Sequence, residues 1–129
     1  MKKITLYIIL IISTFAFAQK SSEKNNEKYT LYKTHAHASY YNDKFNGKRT
    51  ASGRRFNNNK LTAAHKKFPF GTKLRITNER NDKSVIVEVI DRGPFSKKRE
   101  IDLTKRAFMK IASNKGSGSM KVKIEVLKN

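Results

Sequence analysis

The chain has 129 residues, with 29 lysines and arginines against 10 aspartates and glutamates, a formal net charge of +19 and no cysteine. That length holds one domain with one core, and the missing cysteine excludes disulfide stapling, thiol nucleophiles and cysteine metal centres. So basic a balance points either to a polyanionic partner or to a lysine-rich surface that keeps a small protein soluble.

At the start, Lys2 and Lys3 precede an apolar run from Ile4 to Phe17, broken by Thr5, Ser13 and Thr14 and closed by Ala16-Phe17-Ala18 before Gln19. A positive head, a short apolar stretch and small residues on either side of Phe17 form the pattern of a secretory signal peptide. The run is about 14 residues, short of the roughly 20 that span a bilayer. Residues 1–18 are therefore expected to be removed after Ala18. The product is periplasmic or secreted, without a stable membrane anchor and, lacking cysteine, not a lipoprotein. Nucleic acid is the first partner that a basic chain suggests, but it is not expected outside the cytoplasm. Anionic surfaces and carboxylate-bearing glycans are the polyanions available there.

Residues 19–28 contain Ser, Lys, Glu and Asn with no apolar residue, the composition of a disordered leader. The folded domain is expected over 29–129. Tyr29 to Tyr41, rich in Tyr and Thr, reads as a first strand. Lys73 to Asn78 alternates Leu74 and Ile76 with polar residues. Ser84 to Ile90 sets Val85, Val87 and Val89 against Ile86, Glu88 and Ile90, apolar on both faces except at Glu88, which predicts a strand covered on both sides. Glu79 to Lys83 joins the two as a hairpin. One helix follows, with Thr104 as N-cap, a stripe of Ala107, Phe108, Ile111 and Ala112, and stop signals at Asn114 and Gly116. Met120 to Leu127 closes the domain as a strand with Met120, Val122, Ile124 and Val126 inward. The expected class is mainly β, a small barrel with one or two short helices and a monomer.

The central blocks are the most specific part of the chain. They read Ala38-Ser39-Tyr40-Tyr41, then FNGKRTASGRRFNNNKLTAAHKKFPFGTKLRITN, VIVEVIDRGPF and REIDLT. In order and spacing they resemble the rare lipoprotein A (RlpA) family over about residues 34–127. The resemblance implies a six-stranded double-psi β-barrel related to those of expansins. It also implies endolytic cleavage of the bond between N-acetylmuramic acid and N-acetylglucosamine in glycan strands stripped of stem peptides. In that reaction the sugar's own C6 hydroxyl attacks and leaves a 1,6-anhydro end, so neither cofactor, metal nor activated water is needed.

Locally, Gly53, Gly71 and Gly93 read as turn residues, and Phe68, Phe70 and Phe95 as core or rim packing. His65, after small neighbours, reads as an imidazole at the base of a groove, and the resemblance makes it a site residue. Asp91, at the end of a strand and before Arg92-Gly93-Pro94, matches a site aspartate of the family. Asp102, before the helix, matches an aspartate used in related barrels. His65, Asp91 and Asp102 are the expected catalytic set, with His65 paired to one of the aspartates as acid and base. His35 and His37 alternate and with His65 would make a three-histidine ligand set, but no metal is expected.

The chain departs from the family pattern at two positions. Arg54 stands where catalytic members carry glutamate after Ala-x-Gly, and Asn57 where many carry aspartate. Arginine cannot exchange a proton near neutral pH. The alternative is therefore a weak or inactive glycan-binding barrel, in which Tyr40, Arg49, Thr50, Arg54, Arg55 and Asn57 contact the strand and the arginines pair with lactyl carboxylates.

Overall fold

A computed structural model of the chain describes residues 28–128. The expected signal peptide and most of the leader lie outside the described residues. Six strands form a closed barrel: β1 (Tyr29–Tyr40), β2 (Thr62–His65), β3 (Lys73–Asn78), β4 (Ser84–Asp91), β5 (Ile101–Leu103) and β6 (Ser119–Leu127). Their order around the barrel is β1-β5-β2-β4-β3-β6. The pairs β1–β5 and β2–β4 are parallel and the other four antiparallel. A parallel pair cannot be joined by a tight hairpin. The long 41–61 segment after β1 and the turn and strand between β2 and β4 make the necessary crossings.

Alternation puts one apolar row per strand inside. Val85, Val87 and Val89 meet Leu74, Ile76, Val122, Ile124, Ile101 and Leu103, all buried. Small residues on β1 and β2 (Ala36, Ala38, Ala63) leave room for Phe108, Ala107 and Ile111 of helix α1 (Lys105–Ile111), which join the same core. Thr104 caps α1 as expected, its hydroxyl accepting from the Ala107 amide and donating to the Lys60 carbonyl at 2.5 Å. At the other end, Asn78 and Asn81 both donate to the Ile111 carbonyl, at 2.9 and 3.0 Å. These bonds satisfy a helix-end acceptor that would otherwise be orphaned. The helix stops at Ile111, before Asn114, whose side chain instead accepts from the Gly116 amide in a turn.

One expectation needs correcting. The outer face of β4 is not covered throughout: Ile86 is 38% exposed, and only Ile90 is buried, where Ser52 of the 41–61 segment donates to its carbonyl at 3.2 Å. On β6, Glu125 is buried although it points away from the core, because Arg75 meets it with two hydrogen bonds of 3.0 and 2.9 Å. A paired carboxylate tolerates burial that a lone one does not.

Candidate functional site

The motif segment 41–61 is folded by its own polar groups. Thr50 donates twice to the Arg54 carbonyl, from its amide at 2.8 Å and its hydroxyl at 2.7 Å, and closes a tight loop. Gly53, at φ +89°, supplies a left-handed turn that a side chain would strain. Arg49 and Arg55 bridge across the loop. Its anchor is Asn58, which is buried. The Asn58 amide group donates to the Tyr41 carbonyl and to Asp43 Oδ1, and its oxygen accepts from the Lys105 amide at 2.8 Å. One side chain therefore ties the end of β1, the 3-10 turn Asp43–Phe45 and the start of α1 to the motif.

Between this segment and the ends of β2 and β4 runs a groove of about 450 Å³, lined by Arg54, Arg55, Asn57, Lys60 and Thr62 among others. No carboxylate is among its lining residues. Arg54 Nη1 donates to Glu88 Oε2 at 2.8 Å, and Lys73 Nζ lies 3.4 Å from Glu88 Oε1. Partial burial works against ionisation of Glu88, but the hydrogen bonds and charges of Arg54 and Lys73 outweigh it and hold its pKa below the ordinary value. Glu88 is therefore ionised and engaged, on the flank of the groove.

Asp91 sits at the groove's edge, next in sequence to Ile90 of its lining. Its Oδ2 accepts from the Tyr41 hydroxyl at 2.5 Å, and its Oδ1 from the amides of Ala51 and Arg92, both at 2.9 Å. Burial and then the Asp91 hydrogen bond push the Tyr41 hydroxyl far above its ordinary pKa, so it remains a donor. Tyr41 is held in turn by Phe56, stacked at 4.3 Å, and by Phe45, edge-on at 5.7 Å. A carboxylate accepts about four hydrogen bonds. Three are filled here, which leaves Oδ2 with capacity for a reacting proton. Asp102, on β5, accepts from the Ser39 hydroxyl at 2.5 Å and has Arg99 Nη1 at 3.6 Å.

His65 lies elsewhere in both environment and partners. It is fully buried, enclosed by the rings of Tyr32 at 5.6 Å and Phe68 at 4.4 Å. Its Nδ1 accepts from the Lys67 amide at 3.1 Å, so Nε2 carries the proton and donates to Glu100 Oε2 at 2.7 Å. Burial lowers the His65 pKa against the opposing pull of Glu100, which keeps the ring neutral. Glu100 is also bonded to Lys33 Nζ at 2.9 Å. Burial disfavours its charge, yet the bonds from Lys33 and His65 prevail and hold its pKa below the ordinary range.

The profile of the family described as lytic transglycolase matches residues 33–124. The chain belongs to the RlpA-like lytic transglycosylase family. It is 51% identical over 96 residues to the endolytic peptidoglycan transglycosylase RlpA of Rickettsia felis, covering 72% of this chain and 42% of that protein. It is 48% identical over 90 residues to that of Pasteurella multocida, covering 70% of this chain and 30% of the other. The chain thus spans less than half the length of these curated RlpA relatives. Among solved structures it is similar to the Streptomyces papain inhibitor (TM-score 0.59, 21% identity, 74% of this chain and 94% of that one). It is similar also to a Clavibacter michiganensis expansin mutant in complex with cellohexaose (TM-score 0.59, 17% identity, 74% and 50%). These likenesses establish the six-stranded barrel as the double-psi fold expected from the RlpA resemblance.

Against that RlpA-like expectation, the structure distributes the site residues over three places. Arg54, Arg55 and Asn57 line the groove. Arg49 and Thr50 spend their side chains inside the loop, on the Gly53 and Arg54 carbonyls. Tyr40 packs on Phe108 of the core at 4.7 Å. The predicted pairing of His65 with Asp91 or Asp102 is not formed: the imidazole does not open onto the groove, and its acidic partner is Glu100. The three histidines do not converge either. His35 Nδ1 lies 2.6 Å from Glu79 instead, and no cluster of metal ligands occurs among the described residues. The sequence assigned no role to the Tyr41 hydroxyl, Glu100 or Asn58, and marked Glu88 only as the polar break in its strand. For Tyr41 the adjacent Tyr40-Tyr41 pair was the available signal; the others are recognisable only through partners distant along the chain.

Proposed function

We propose that this protein acts on peptidoglycan glycan strands, binding them along the cationic groove and cleaving the bond between N-acetylmuramic acid and N-acetylglucosamine endolytically, with Asp91 as the group that moves the proton. The observation that carries this reading is the Asp91 carboxylate itself. It is rigidly held by Tyr41, Ala51 and Arg92, keeps one unused acceptor position, and adjoins a groove whose Arg54, Arg55 and Lys60 suit the lactyl carboxylates of a peptide-free strand. In the step, the C6 hydroxyl oxygen of N-acetylmuramic acid bonds to its own C1 and the bond from C1 to the leaving O4 breaks. Asp91 takes the proton of the C6 hydroxyl at its unused acceptor position and passes it to O4, so the protein ends as it began. The names of the RlpA relatives and the signal-like segment before Gln19 support an exported, wall-directed role.

A second reading, a barrel that grips the strand without cutting it, is favoured by one observation: the groove lining contains three cations and no acid. Digestion of sacculi stripped of stem peptides separates the two. Cleavage predicts soluble fragments with 1,6-anhydro ends by mass spectrometry from the wild type and none from Asp91→Asn. Binding alone predicts salt-sensitive pelleting with sacculi and no soluble product from either.

A further inference from the structure

Phe95 is 93% exposed, more than any other large apolar side chain among the described residues. Neither the core nor the groove uses it, and the expectation that it packs at the rim does not hold. The ring is nonetheless placed: a Cβ built at Gly93 would lie 3.8 Å from it, so the ring rests over a glycine whose φ of +122° other residues rarely adopt. Its loop is pinned to the turn after β2. Lys66 Nζ donates to the Ser96 carbonyl at 3.0 Å, and Arg92, which reaches back to the His65 carbonyl, stacks over Phe70 at 4.1 Å. In these two pinned turns Lys66, Lys67, Lys97, Lys98 and Arg99 are exposed, and residues 66–71 and 92–99 contain no acid, Asp91 and Glu100 standing just outside them.

A solvent-facing aromatic seated over a glycine, in a loop rich in cations, forgoes the stabilisation of burial in return for a contact. Phe95 follows Asp91 by four residues, and the glycine under its ring by two. A strand cut internally continues past the reacting bond on both sides. Asp91 stands at the edge of the Arg54–Arg55–Lys60 groove, next to Ile90 of its lining, and the Phe95 loop continues from it. We propose that Phe95 with Lys97 and Lys98 forms a second subsite for the same glycan strand, the apolar face of one pyranose stacking on the ring while a neighbouring lactyl carboxylate meets the lysines. This rests on the reading of the groove as a glycan-strand site. A single sugar fits the geometry better than a membrane, because Phe70, the other exposed aromatic of the knob, is capped by the Arg92 guanidinium and leaves one ring free rather than an inserting cluster.

The test is pelleting of the purified protein with denuded sacculi over a salt series, alongside vesicles of phosphatidylcholine containing phosphatidylglycerol. Phe95→Ala is expected to melt at the wild-type temperature and to bind sacculi about five- to tenfold more weakly, with Phe95→Trp retaining affinity. Lys97→Ser with Lys98→Ser should weaken binding at low salt and flatten its salt dependence. Wild-type affinity in Phe95→Ala, with Arg54→Ser and Arg55→Ser impaired, overturns the subsite and leaves the groove standing. Loss of vesicle binding alone in Phe95→Ala reassigns the loop to membranes and also overturns it. Failure of the wild type to pellet removes the groove reading and the subsite together.

Discussion

Asp91 and His65 are close neighbours on paired strands, Ala64 standing opposite Asp91 in register, yet their surroundings differ in every physical respect. Asp91 is half-buried, keeps an unused acceptor position, and is held by two donors of the 41–61 segment and by the next amide along, that of Arg92. His65 is sealed, neutral, and bonded through both ring nitrogens. The first arrangement stabilises a group while leaving it able to react, whereas the second spends all of a group's hydrogen-bonding capacity on structure. A motif histidine and a motif aspartate can thus belong to one sequence signature and have opposite surroundings, one sealed into the barrel and the other at the edge of the groove.

The largest expected effect sets the two regions directly against each other. Asp91→Asn should lower the release of anhydro products by about a hundredfold or more, the scale of lost general acid–base catalysis, with little change in melting temperature. Product release at the wild-type rate would break the comparison and move the chemistry elsewhere. His65→Ala should act chiefly on stability. It removes a buried ring and leaves Glu100 short of a partner, at a cost of about 2–4 kcal/mol in urea unfolding. Activity per folded molecule that falls as steeply as in Asp91→Asn would return His65 to the reaction.

A smaller effect is expected at the groove flank. Arg54→Glu alone puts a second carboxylate against Glu88 and should lower stability by about 0.5–1 kcal/mol, whereas Arg54→Glu with Glu88→Arg restores an ion pair in reversed order and recovers the melting temperature. If the reversed pair also increases product release and the single substitution does not, the charge order across this contact limits cleavage.

The smallest effect is in pH. Because the folded pKa of His65 is depressed, the unfolded chain takes up a proton first, and stability should begin to fall as pH drops below the ordinary histidine value of 6.5. A second decline should begin below about 4.5, as Glu100 and Glu88, whose folded values are also depressed, lose partners that they keep above it. His65→Gln should remove the first decline and keep the second. Unfolding curves at fixed temperature between these limits resolve both.

The elements legible in the sequence were those whose burial is one-sided and long enough to show a period. β1, β3, β4 and β6 run for six residues or more, and α1 carries its cap and stripe in plain view. β2 and β5 could not be read that way. They have four and three residues, and in Thr62–His65 every position is buried, so no alternation exists to detect. The double-psi barrel was reached through the resemblance of ordered blocks. At the site, Arg54 was visible because its charge is out of place in the family pattern. Glu100 was not, since its pairing with His65 spans 35 positions and leaves no local mark. The run Asn57-Asn58-Asn59 shows the limit most clearly. The first residue lines the groove, the second is buried as an anchor and the third is exposed, and nothing in three identical letters distinguishes them.

Asn58 has a consequence for how such a barrel changes over time. By fastening the motif segment from beneath, through the end of β1, the 3-10 turn and the helix start, it leaves Arg54, whose side chain bonds Glu88 outside the loop, without a part in folding it. Arg54 can then be exchanged, even with reversal of charge, while the backbone that presents it stays where it is, whereas Arg55 and Asn57 also bond the Gly47 carbonyl and the Asn59 amide of the loop. The barrel behaves as a socket with a replaceable face, and drift in its ligand preference requires only compensation at a touching residue such as Glu88.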